Sequence, residues 1–325
     1  MKIYLATAGD SWWNAHCRDA FRSVALCDRI GQHALTEEPR DADLILFIDF
    51  QQHPGDWWMG AFHRHPLVRA YPEKICVYDE RDEPWYSAPG VYVSLSRRTA
   101  RLQSQTSGCY FTLKNEGAEA NLHNFHPDLL FSFMGSMSHP IRRKIVQLSH
   151  PRAVVEDTSQ FNFFVSSEDE AGQKRVQHQK ERYREVVLRS KFVLCPRGFG
   201  TSSYRLFETL SLGRVPVILS DDWVRQPGPD WDRCAIFVPE REVASMPRLL
   251  EAREREFPEL AANARLVWDT WFAPEVRFHT LIETCQSLKA AQGQGVCRFP
   301  KLQSAALRKG LRMMRANLKN RLKKS

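Results

Sequence analysis

The chain has 325 residues, 43% of them hydrophobic and 26% charged, with a formal charge of +8. That length exceeds one comfortable core and calls for two domains in an ordinary globular protein. No apolar run approaches the about 18 residues of a membrane span, and eight cysteines scattered without a C-x-x-C pair argue against a disulfide framework or a Cys-rich zinc site.

Residues 2–8 read as a first strand, Gly9-Asp10-Ser11 as the loop at its C-terminal end, and the residues from Trp12 through Cys27 as a helix. The opening has no signal-peptide core, so the expected location is cytoplasmic. Asp10 is a candidate catalytic base; its competing role is that of a capping Asp before the helix. Asp41-Ala42-Asp43 has a metal-binding spacing, but it precedes the apolar strand 44–48, at the end away from any ligand. Asp49-Phe50-Gln51-Gln52-His53 follows that strand. His53 is a second candidate base, since an imidazole is poised near neutral pH. His53, His63 and His65 could bind metal by composition alone, yet they lack ligand spacing and read as loop histidines.

Residues 75–78 form a third strand that runs into Asp79-Glu80-Arg81-Asp82-Glu83-Pro84. Transfer of a group onto a hydroxyl needs one base to take the hydroxyl proton. Asp79, Glu80, Asp82 and Glu83 are the first candidates for it, with a solvated, salt-bridged loop as the other reading. A further strand spans 91–95, and Arg97, Arg98 and Arg101 after it read as loop cations. The polar, Gly/Asn/His-rich stretch before Asp128 places an interdomain linker at 121–128.

Residues 129–134 open the second domain as an apolar strand that turns at Gly135. Pro140 suits the first turn of a helix carrying Arg142 and Arg143. After a short strand at 153–155 and a charged helix at 168–188, the chain reaches the unit around which it is organised. Residues 192–195 are a strand, 196–200 a Gly- and Pro-punctuated turn, 201–212 a helix, Gly213 its C-cap, and 215–219 a second strand, the proportions of a βαβ unit. Thr201, Ser202 and Ser203 supply N-cap hydroxyls there. Arg197 and Arg205 bring forked donors suited to phosphate, and Glu208 can share their helix face to accept from a sugar diol. Arg205 and Glu208 could instead be an i,i+3 surface pair.

The run CPRGFGTSSYRLFETLSLGRVPVILSDDW, residues 195–223, resembles the exostosin family of glycosyltransferases. The shared features are a Cys-Pro-Arg-Gly loop, a Ser-x-Arg helix start, a Glu one turn on and a Pro-Val-Ile strand. The resemblance implies a GT-B fold, that is, two facing Rossmann-like α/β domains with the nucleotide-sugar donor, by analogy a uridine one, on the C-terminal domain. It also implies transfer with inversion and no required metal or other cofactor. On that pattern Arg197, Ser203, Arg205 and Glu208 carry over as donor-site residues, joined in the cradle by Gly198, Thr201 and Ser202. Gly135 with Arg142 or Arg143 matches a Gly turn and basic helix start of such sequences.

The expected division is 1–120 for the acceptor-side domain, 129–274 for the donor-side domain and 275–300 for a helix returning to the first domain. Residues 301–325 form a basic amphipathic tail with nine cations and no acidic residue, so the rest of the chain is close to neutral. Leu307, Leu311, Met314, Leu318 and Leu322 make one helical stripe in that tail. It could rest on an anionic membrane surface, as would suit an enzyme extending a lipid-linked glycan, or pack as a solvated or partner-bound helix. Nucleic acid is disfavoured, because the tail has no aromatic residue after Phe299. The alternative function is a noncatalytic nucleotide-sugar-binding protein tethered by its tail to membrane or nucleic acid.

Overall fold

The computed structural model describes residues 1–48, 60–82, 88–111, 126–161 and 169–291. It divides into two compact units, one formed by residues 1–108 with the chain from 274 onward, the other by residues 109–273.

In the first unit six parallel strands lie in the order β2-β1-β3-β4-β5-β6. They are β1 Lys2–Ala6, β2 Ala34–Leu35, β3 Leu44–Ile48, β4 Ile75–Asp79, β5 Gly90–Tyr92 and β6 Gln105–Thr106. All five residues of β3 and all five of β4 are buried. Continuous Leu-Ile-Leu-Phe-Ile and Ile-Cys-Val-Tyr runs are what a parallel strand needs when both sheet faces are covered. The helix Trp12–Leu26 follows β1 and is capped by Ser11, whose side chain accepts from the Asn14 N–H at 3.2 Å. The capping role weighed for Asp10 therefore falls to its neighbour. β2 and β6 are edge pairings of two residues each, too short to leave an apolar pattern in the sequence.

The second unit holds five parallel strands in the order β11-β10-β9-β7-β8. Their ranges are β7 Leu129–Gly135, β8 Ala153–Asp157, β9 Ser190–Pro196, β10 Val215–Leu219 and β11 Ile236–Phe237. Phe131, Phe133, Phe192, Leu194, Val215 and Val217 form the middle of its core, each contributing about 1.5–3 kcal/mol by burial. From β7 the chain moves to one side to form β8, then crosses to the other side for β9. The boundary between β7 and β9 is thus a topological switch point, where loops diverge and leave a crevice at the strand C-termini.

The division falls earlier than the expected linker. Tyr110 is already stacked on Tyr204 of the second unit, ring centroids 3.9 Å apart, so an aromatic anchor joins the chain to that unit well before residue 121. Of the expected linker only residues 126–128 are described. The helix Arg277–Ala291 belongs to the first unit. There the Arg29 N–H donates to the Glu275 carbonyl at 2.9 Å and Lys289 Nζ to the Asp43 carbonyl at 3.2 Å. The tail 301–325, with its expected helix, lies outside the described residues.

Candidate active site

Strand β9, the turn after it and the helix Tyr204–Ser211 put the organising motif at the switch point of the second unit. Gly213 follows the helix at φ +58°, in the left-handed region its C-cap requires. The helix starts at Tyr204, not Thr201. Ser203 is the N-cap, with an extended backbone, though its side chain makes no capping bond, and Thr201 and Ser202 lie in the loop before it. All three are buried, and Ser202 Oγ has no hydrogen-bond partner. A run of three small hydroxyl residues continues the helical pattern in the sequence, but here it stays outside the helix as the end of the loop after β9. Ser220 Oγ, at the end of β10, fastens it by donating to the Thr201 carbonyl at 2.7 Å.

The arginines divide by role. Arg142, in the helix Pro140–Ile145, is buried and donates through Nε to the Arg197 carbonyl at 2.9 Å, Nη1 to the Ser136 carbonyl at 3.1 Å and Nη2 to the Pro196 carbonyl at 3.2 Å. Its fork clamps the loops after β7 and β9 to each other, which corrects the expectation of a phosphate contact from this side chain. Arg143 is exposed on the same helix.

Arg205 donates from Nη2 to the Met134 carbonyl at 2.6 Å and lies over the Phe133 ring at 5.0 Å, while its buried Nε has no hydrogen-bond partner. Gly135 makes this approach feasible, since a Cβ there would stand 2.6 Å from Arg205 Nη2. Gly198 plays a like part, because a Cβ would meet Arg142 Nη2 at 3.1 Å and Ser138 Oγ at 3.2 Å. Arg197 pairs with Asp222 at 3.5 Å and reaches the Phe199 carbonyl at 3.5 Å, leaving its buried Nε without a partner. Arg197 Nε, Arg205 Nε and Ser202 Oγ, in the loop after β9 and the helix that follows it, thus lack hydrogen-bond partners inside the protein.

Glu208 is 5% exposed, and its Oε2 accepts from the Tyr183 hydroxyl at 3.0 Å. It is not an i,i+3 surface residue. Burial, then the Glu208 charge, push the Tyr183 phenol well above its ordinary range, which keeps it a neutral donor. Tyr183 lies in the charged helix Glu170–Arg189, where nothing in the local pattern marked it. Asp222, three residues past the end of β10, was not singled out from the sequence, although its place just beyond a strand C-terminus was the available signal. His139 caps the helix Pro140–Ile145 by accepting from the Ile141 N–H at 3.3 Å; burial first, then the Arg197 charge, lower its pKa. Cys195, the first residue of the motif, is a core thiol pushed up to about 12 by burial, so it packs and does not attack.

In the first unit the candidate bases lie at strand C-termini too. Asp79, the last residue of β4, is fully buried. The Arg81 N–H donates to its Oδ1 at 2.9 Å, Arg81 Nε to both carboxylate oxygens at 2.9 Å, and Arg81 Nη2 to Oδ2. With its lone pairs aimed at one guanidinium, Asp79 is a structural ion pair and a poor proton acceptor. The pair is buried, not the solvated salt bridge weighed from sequence. Glu80 is buried and accepts from the Tyr78 hydroxyl at 2.7 Å, whereas Asp82 is exposed. Asp10 is exposed in the loop after β1 and close enough to His65 to raise its pKa, against the larger lowering by burial. His65 itself caps the helix Pro66–Ala70. Glu83 and His53 lie outside the described residues.

The exostosin GT47 domain family matches residues 40–253, which include every donor-site candidate above. An exostosin-1 homolog of Caenorhabditis elegans is 36% identical over 110 residues, 33% of this chain and 29% of its own length. A probable glucuronosyltransferase of rice is 42% identical over 72 residues, covering 21% of this chain and 17% of the rice protein. The chain thus spans less than a third of these relatives. Among solved structures, a glycosyltransferase from Rickettsia africae aligns at 9% identity and a TM-score of 0.42, over 90% of this chain and 99% of its own.

Proposed function

This chain belongs to the exostosin GT47 family, and from that premise we propose that it is an inverting glycosyltransferase that takes a sugar from a nucleoside-diphosphate donor, a uridine one, to a glycan or lipid-linked glycan. The observation that carries the reading is that Arg197 Nε, Arg205 Nε and Ser202 Oγ, on the segment that follows β9 beside the β7/β9 switch point, are all buried and without hydrogen-bond partners. Buried donors left unpaired cost stability unless a ligand completes them. A diphosphate supplies acceptors of the matching charge, and fixed cations with helix N–H groups can hold leaving-group charge as it develops. Glu208, oriented by the Tyr183 hydroxyl, is the group proposed to accept from a ribose hydroxyl.

The base comes from Asp10, Glu80, Asp82, Glu83 or His53, with Asp79 removed by its bond to Arg81. The glucuronosyltransferase relative makes a uronic acid one donor to test. Peripheral attachment to an anionic membrane through 301–325 completes the proposal.

The test is a thermal-shift panel of UDP, GDP, CMP and ADP, with and without magnesium, on the intact chain and on Arg197→Ala. A ligand at 100 times its Kd stabilises by about 2.7 kcal/mol. Magnesium-independent stabilisation by UDP, lost in the variant, is the expected result. No shift with any nucleotide, or an equal shift in both proteins, overturns the donor site.

A further inference from the structure

His33 stands just before β2, and His279 and Glu283 lie one turn apart on the helix Arg277–Ala291, so 246 residues of chain separate the first two. Spacing of i,i+4 places His279 and Glu283 on one helical face. The imidazoles stack with centroids 4.9 Å apart and planes 22° from parallel. His33 Nε2 is 3.2 Å from Glu283 Oε1 but lacks the alignment of a hydrogen bond, and His279 Nδ1 is buried with no hydrogen-bond partner. Two aromatic nitrogens and a carboxylate are thus gathered in one place without satisfying one another, an arrangement that calls for an explanation.

We infer that His33, His279 and Glu283 bind a divalent transition-metal ion of the zinc class. One ligating atom from each residue lies within 4.8 Å of the other two. Ligands about 2 Å from a tetrahedral zinc stand roughly 3.4 Å from one another. The His33–Glu283 separation already meets that figure, and the rest needs side-chain movement on the order of 1 Å. Two imidazoles with one carboxylate select zinc, cobalt or nickel over magnesium and calcium, which prefer oxygen ligands. Burial holds His33 below its ordinary value; the chain's first amino group and His279 lower it further, while Glu283 and Asp28 act in the other direction.

The position separates this ion from the transfer chemistry. His33 lies at the N-terminal edge of the sheet, where Lys2 pairs with Ala34. Asp10 and Asp79 follow or end strands at the opposite edge. The ion would therefore be structural, fastening the helix Arg277–Ala291 to edge strand β2 and so closing a long loop of chain.

The test uses the full chain, stripped with chelator and titrated with zinc or cobalt chloride beside Glu283→Gln and His279→Ala. Expected are one equivalent of zinc lost in both variants, a cobalt visible spectrum of nitrogen and oxygen ligation, and a zinc-dependent rise in Tm confined to the parent. Affinity should drop at least about tenfold in each variant, the lower bound seen when even the groups around a metal's ligands are changed. Glu283 is exposed, so Glu283→Gln is expected to fold even if His279→Ala does not. Absence of stoichiometric binding to the parent, or equal zinc affinity in parent and Glu283→Gln, overturns the site. None of these readouts depends on transferase activity.

Discussion

In the second unit the loop after β9 and the helix it leads into hold two arginines and a serine of which buried donors, Arg197 Nε, Arg205 Nε and Ser202 Oγ, find no hydrogen-bond partner within the protein. In the first unit the carboxylates at the end of β4 are taken up internally, Asp79 by Arg81 and Glu80 by the Tyr78 hydroxyl. Both units are parallel α/β sheets with polar groups at the strand C-termini, so the architecture alone does not tell them apart. What separates them is where the hydrogen bonds go. A site built for an anion keeps cationic donors in reserve, whereas a carboxylate already bonded to a guanidinium is part of the scaffold.

The largest effect that would break this contrast is at Asp79. Asp79→Asn should destabilise the chain by about 3–5 kcal/mol, because it breaks the ion pair that the fully buried Asp79 carboxylate makes with Arg81. Asp82→Asn, at an exposed position, should change stability by less than about 0.5 kcal/mol. Denaturant unfolding of the two variants checks the pair, and equal costs would mean that Asp79 is not the structural member. Next comes Arg142→Ala. It removes three hydrogen bonds to the Ser136, Pro196 and Arg197 carbonyls and should cost about 3 kcal/mol, with weaker nucleotide binding as a consequence of loosened loops. Arg197→Ala should do the reverse. Nucleotide affinity should fall by about 100-fold, as for one or two charge-assisted bonds, with little change in the unfolding midpoint. If calorimetry finds Arg142→Ala and Arg197→Ala indistinguishable in both readouts, the distinction between clamp and ligand-facing arginine is lost.

Legibility from sequence follows the same line between local and distant partners. The βαβ unit was readable because everything that defines it lies within about thirty residues: the Val-Leu and Val-Ile runs, the Gly-Pro turn and Gly213. The interior strands β3, β4 and β7 were equally plain, since strands buried on both faces leave unbroken apolar runs. β2 and β6, two residues each, left none. The helix start was misplaced by three residues because Thr201, Ser202 and Ser203 satisfy a capping pattern at each position, and only the bond from Ser220 shows which conformation wins. Arg142 looked like a phosphate ligand for want of one fact, that its fork reaches three carbonyls of which two lie 54 and 55 residues away. Tyr183, bonded to Glu208 across 25 residues, and the His33, His279 and Glu283 group were invisible for the same reason.

The smallest effect tests whether satisfaction of a carboxylate, rather than its sheet, decides its role. Glu254 lies in the second unit, beside β8 and β9 at the strand ends away from the nucleotide loops. It accepts from Arg152 Nη1 at 2.6 Å, Arg152 Nη2 at 2.8 Å and Lys191 Nζ at 2.6 Å. Those hydrogen bonds, Arg152's first, hold its carboxyl at about 2 against an ordinary value of 4.5. A carboxyl lowered on folding adds stability that is complete above the unfolded value and is lost as pH falls toward the folded one. Glu254 should therefore stabilise the chain above about pH 4.5 and contribute nothing near pH 2. Because the partners are partly exposed, water screens the gain to about 1 kcal/mol. Glu254→Gln should lower Tm by about 2–4 °C at pH 7, flatten the acid limb between those values, and leave nucleotide affinity unchanged. Loss of nucleotide affinity in this variant would show that charge anywhere in the second unit tunes the site, and would remove the reason for assigning it to Arg197 and Arg205.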